Sequence, residues 1–163
     1  MKTLPFLRPG VVLAVLTLAL GAALGRAETR GPKVHKQVII PGEDRFTPFG
    51  LTIRSGDSVK WINTDTDDHT VVSNDFFNTA NPQGINIVIP GTDNNNGQPG
   101  TLTLQFDKPG LWAYYCRFHA TLDGDHQPVA PGPDGGIQGG SSFGSSTNYG
   151  TPMNGVITVL PKD

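Results

Sequence analysis

The sequence predicts an all-β domain, a two-sheet Greek-key sandwich, and three observations carry that reading. No stretch of a dozen residues sets its apolar side chains at helical spacing. Apolar residues fall instead in short runs, rich in β-branched and aromatic types, that are stopped by Gly, Pro, Asn or Asp. One run, Thr101 to Phe106, alternates strictly, with Leu102, Leu104 and Phe106 on one face and Thr101, Thr103 and Gln105 on the other. That period of two belongs to a half-buried strand.

The elements follow in order. Val34 to Ile40 is the first run, ended by Pro41-Gly42. Leu51 to Arg54 is the second. Ser55-Gly56-Asp57 turns it into Val59 to Asn63, where Val59, Trp61 and Asn63 alternate against Lys60 and Ile62. Val71 to Ser73 and Ile85 to Ile89 are further short strands, and Asn94 to Gly97 with Pro99-Gly100 is an exposed loop. After Thr101 to Phe106, Lys108-Pro109-Gly110 turns the chain into Leu111 to Cys116, and Val156 to Leu160 is the last run. Seven or eight strands at this spacing predict the sandwich. Ala120 to Pro152 breaks the pattern, with eight Gly, four Pro and few large apolar residues in 33 positions. Such a stretch cannot bury enough surface to offset its ordering entropy, so a long irregular insertion is expected before the last strand.

Residues 1–27 read as a secretory signal. Lys2 and Arg8 supply positive charge, Val11 to Leu24 is apolar, and Gly25-Arg26-Ala27 offers a cleavable bond after Ala27. The apolar stretch is shorter than the roughly 20 residues a membrane span needs. A periplasmic or secreted product of 136 residues is expected, one domain over 28–163 that keeps nine cations against fourteen acids, a net charge of −5. That balance argues against nucleic acid and anionic lipid and permits a basic partner. No second segment is apolar enough for stable membrane insertion. In an oxidising compartment the only cysteine, Cys116, is a liability unless something protects it, and a bound metal would.

Cys116 ends an apolar run, His119 follows after two residues, His69 lies upstream and Met153 stands just ahead of the last run. One thiolate, two imidazoles and one thioether are the donors of a blue-copper site, a trigonal His₂Cys plane with a weak axial Met. Cys-x-x-His at a strand end lets a tight turn bring both side chains to one ion. His69 is expected in the turn after the Trp61 strand, and sandwich loops cluster at two poles, so the four can converge. Each residue alone has an ordinary explanation: a buried thiol, a loop imidazole, a core thioether. Their order along the chain favours copper. Elsewhere, His35 and the Asp65, Asp67 and Asp68 turn read as solvated, and Trp61 as core. Trp112, Tyr114 and Tyr115 read either as core or as an electron relay.

Several motifs together resemble the plastocyanin/azurin family of cupredoxins: Phe46-x-Pro48, the Leu51 to Asn63 stretch, His69-Thr70-Val71, Phe106-x-x-Pro109-Gly110, Tyr115-Cys116-x-x-His119 and Met153-x-Gly155-x-Ile157-x-Val159. The likeness covers Val34 to His119 and Met153 to Leu160. It implies an eight-stranded sandwich with one type 1 copper ion held by His69, Cys116, His119 and Met153. Its implied role is that of a monomeric electron carrier, not an enzyme, working between redox proteins such as cytochromes or copper or haem oxidoreductases. It also implies that His119 lies under the patch where electrons enter and leave. One departure stands out. The family places its Met a few residues after Cys-x-x-His, whereas here 33 residues intervene. Either the insertion returns Met153 to the axial position or His126 or Gln127 takes it. Two other functions compete: a copper-trafficking protein, which would be Met-rich where this chain keeps only Met153 beyond the signal, and a copper redox enzyme with an open coordination position.

Overall fold

The computed structural model describes residues 35–131, 138–139, 147–148 and 151–162, so the expected signal segment lies outside the described residues. No helix among the described residues is long and apolar enough to cross a membrane. Eight strands carry the fold: β1 His35–Ile40, β2 Gly50–Arg54, β3 Ser58–Asn63, β4 His69–Ser73, β5 Asn86–Ile89, β6 Gly100–Gln105, β7 Gly110–Tyr115 and, last in the chain, β12 Asn154–Leu160. Every run read from the sequence is there, shifted by at most a residue or two. One placement is corrected. His69 opens a strand instead of sitting in a turn, because it pairs with Ile89 across the β4–β5 ladder.

The strands form two sheets, β1-β3-β6 and β2-β12-β7-β4-β5. β1 runs parallel to β3 and β2 parallel to β12, while the other ladders are antiparallel. The chain thus passes repeatedly from one sheet to the other, as a Greek-key sandwich requires. Between Ala120 and Pro152 the described residues hold four further two-residue strands. β8 Thr121–Leu122 pairs with β9 Pro128–Val129, and β10 Gln138–Gly139 pairs with β11 Thr147–Asn148.

The core obeys the alternation. Val59, Trp61 and Asn63 are buried while Lys60 and Ile62 are half-buried. Trp61 of one sheet meets Trp112 and Tyr114 of the other at centroid distances of 6.0 and 5.4 Å, and Phe106 and Phe46 close the cluster at 5.2 and 4.7 Å. Trp61, Trp112 and Tyr114 are fully buried, so Trp112 and Tyr114 are core residues. Such tilted and edge-to-face pairs add about 0.5–1.5 kcal/mol each beyond their buried area. Gly155 lets β12 pass this cluster, since a Cβ there would lie 2.6 Å from the Tyr114 ring.

Candidate metal centre

The site is built at the ends of β7, β12 and β4. β7 stops at Tyr115 and the chain turns tightly, His119 N–H donating to the Cys116 carbonyl at 3.1 Å. Two more backbone bonds tie this turn to Met153. Cys116 N–H donates to the Met153 carbonyl at 2.9 Å, and Met153 N–H donates to the His119 carbonyl at 3.1 Å. After the long insertion the chain therefore returns at Met153 directly beside Cys116 and His119, and Met153 is fully buried there. His69 is delivered by a turn that Asn63 organises from the end of β3. The Asn63 amide donates to the carbonyls of Asp67 and Ile89 at 2.8 and 3.0 Å, and its Oδ1 accepts Asp65 N–H at 3.1 Å.

Cys116 Sγ lies 3.8 Å from His69 Nδ1 and 3.7 Å from His119 Nδ1. Metal–sulfur and metal–nitrogen bonds of about 2.3 and about 2.0 Å, opened to a trigonal angle of about 120°, separate S from N by about 3.7 Å. The spacing therefore suits one ion placed between the sulfur and the two Nδ1 atoms. Cys116 and His69 are buried and His119 is half-buried. The Thr70 N–H and hydroxyl both point at the sulfur, at 3.3 and 3.5 Å. Burial pushes the Cys116 thiol up, but hydrogen bonds with His119, His69 and Thr70 outweigh it and bring the thiol down to about 5. His69 shows the reverse balance. Burial lowers it, and its contacts with Cys116 and Asp65 raise it overall.

A thiol depressed from 9.0 to about 5 is ionised throughout the neutral range, so the metal-free protein offers a ready thiolate. Its ultraviolet thiolate absorbance should persist on acidification and disappear near pH 5; loss near pH 9 would refute this. The sign for stability matches: the contribution is complete above the unfolded-state value and fades as pH falls toward about 5.

The two imidazoles turn their Nε2 atoms away from the sulfur toward carboxylates. Asp65 Oδ2 is 2.9 Å from His69 Nε2, and Asp44 Oδ1 is 3.6 Å from His69 Nε2 and 3.8 Å from His119 Nε2. Asp65 is buried, which corrects its reading as part of a solvated acidic turn. Asp44, in Gly42-Glu43-Asp44, carries no local sequence signal beyond that of a polar turn. His126 lies apart from this gathering, its ring stacked on Phe76 at 4.1 Å. Gln127 belongs to the β8–β9 hairpin, where its N–H donates to Asp123 Oδ1 at 2.8 Å.

The family model described as copper binding proteins, plastocyanin/azurin family, matches residues 35–125. The chain belongs to this family. The matched range holds His69, Cys116 and His119 and ends before Met153. Plastocyanin from Tetradesmus obliquus is 32% identical to this cupredoxin over 111 residues, covering 68% of the chain and 69% of that protein. Plastocyanin from Nostoc punctiforme is 29% identical over 117 residues, covering 66% and 82%. Among solved structures, a purple cupredoxin from Nitrosopumilus maritimus superposes with a TM-score of 0.40 at 21% identity, covering 77% of this chain and 99% of that one. Copper is the metal of the family, and the donor set of this cupredoxin suits it.

Proposed function

We propose that this cupredoxin is an exported single-electron carrier whose one type 1 copper is held by His69, Cys116 and His119, with Met153 in the axial place. The observation that carries the reading is the pair of 3.7 and 3.8 Å sulfur–nitrogen spacings around the buried Cys116. Copper bound there would cycle between Cu(I) and Cu(II). The residues of the chain keep the surroundings alike in both states. Thr70 fixes the sulfur, two backbone bonds lock the Cys116–His119 turn against Met153, and one sheet holds β4, β7 and β12 side by side. The His119 side chain is 19% exposed beside Phe118, which is 44% exposed, and this supports His119 as the edge through which electrons pass. A redox protein such as a cytochrome, or a copper or haem oxidoreductase, is the proposed partner. The acidic net charge suits a basic one, and the carrier acts as a monomer in the periplasm or outside the cell.

The test is to add Cu(II) to the purified protein and record visible and EPR spectra, then repeat with Met153→Leu and His126→Ala. The protein should turn intensely coloured through thiolate-to-copper charge transfer. Met153→Leu should keep the colour while shifting the spectrum and the potential, and His126→Ala should change neither. A colourless complex rejects the carrier. A centre sensitive to His126 and indifferent to Met153 reassigns the axial position.

A further inference from the structure

Each imidazole that faces Cys116 through Nδ1 has its other nitrogen against a buried acid. Asp65 Oδ2 sits at hydrogen-bond distance from His69 Nε2, 2.9 Å, while Asp44 Oδ1 stands between the two rings, 3.6 Å from His69 Nε2 and 3.8 Å from His119 Nε2. These residues retain only 8% and 6% exposure. Their places are set by the fold. Asp65 Oδ1 accepts Thr66 N–H at 2.6 Å and the Asp65 carbonyl accepts Thr92 N–H at 2.8 Å. Asp44 follows β1 in a left-handed conformation, φ 51°, which turns its side chain back toward the pole where the imidazoles meet.

We propose that Asp44 and Asp65 are positioning residues of the copper centre: Asp65 fixes Nδ1 as the ligating nitrogen of His69, and the buried carboxylate pair biases the ion toward Cu(II). The inference rests on the ligand set proposed above. A carboxylate accepting Nε2–H holds the proton on that nitrogen and leaves the Nδ1 lone pair to the metal, while raising the basicity of the ring. Two acids shielded from water are weakly screened, and they attract a doubly charged ion more than a singly charged one. Asp65 hydrogen-bonds His69 alone, whereas Asp44 lies at ion-pair distance from both rings and acts through its charge, so the two are not interchangeable. Asp44, Asp65 and His69 also gather donor atoms within 4.8 Å of one another, and a second cation there is the competing reading.

The experiment measures the reduction potential of the copper-loaded protein and of Asp44→Asn, Asp65→Asn and, as an exposed control in the same segment, Asp67→Asn. Each buried substitution should weaken Cu(II) relative to Cu(I) binding at least tenfold, moving the one-electron potential up by about 59 mV or more. The control should move it less than half as far. Equal shifts in all three, or none, in proteins that keep their colour overturn the proposal and leave the ligand set standing. An unmodified protein without colour removes both. Should either variant fail to fold, nitrogen-15 NMR of the unmodified Cu(I) form decides: a slowly exchanging proton on His69 Nε2 supports the pair, and an unprotonated or ligating Nε2 overturns it. Uptake of a second equivalent of copper that Asp65→Asn abolishes also overturns it.

Discussion

Replacing Cys116 by Ser should abolish the colour and weaken copper binding by more than about hundredfold, the upper range for losing a mere outer partner of a ligand. Serine is nearly the same size, but its hydroxyl stays protonated where the thiol of Cys116 is ionised, and oxygen has none of the softness that favours Cu(I). The fold should survive. The Cys116 N–H bond to the Met153 carbonyl belongs to the backbone, and the Thr70 donors still face an oxygen that can accept from them. Copper retained after dialysis, with circular dichroism as the control for folding, checks this. A coloured Ser variant would show that the sulfur is not in the centre.

Trp61→Ala should destabilise the protein by about 3–5 kcal/mol, the range for truncating a buried Trp or Phe. Trp61 is fully buried and bridges the sheets, reaching from β3 to Trp112 and Tyr114 on β7. No neighbour can swing in to fill the gap, because Trp112 is packed by Phe106 and Tyr114 by Phe46. The damage should also reach the copper centre, since β7 runs straight from Trp112 and Tyr114 into Cys116. Denaturant unfolding of the metal-free protein measures the loss. A value below about 1.5 kcal/mol, as for a tolerated swap, would mean that the sheets close over the void.

Much of the fold was legible because half-buried strands announce themselves by alternation. Val59, Trp61 and Asn63 point inward and Lys60 does not, and turn residues mark where each run stops. The gathering of His69, Cys116 and His119 was legible from donor chemistry and from Cys-x-x-His at a strand end. What the sequence hid is long-range. Asp44 reads as part of a polar turn, and its partners His69 and His119 lie far along the chain. Asp65 reads as one acid among three, and its burial against the ring of His69 is what shows it turned inward. The two-residue ladders within 120–152 are too short to leave any periodicity. The return of Met153 depends on backbone pairing across 33 intervening residues, which no local pattern encodes.

Because Met153 is pinned by its own N–H and carbonyl to His119 and Cys116, the stretch between them enters and leaves the domain through one pair of adjacent, clamped points. Closing a longer loop between fixed ends costs only about 0.6 kcal/mol per doubling of its length. The length of the stretch can therefore change at little cost, because the two bonds that pin its ends use the backbone of Cys116, His119 and Met153 and none of its own residues.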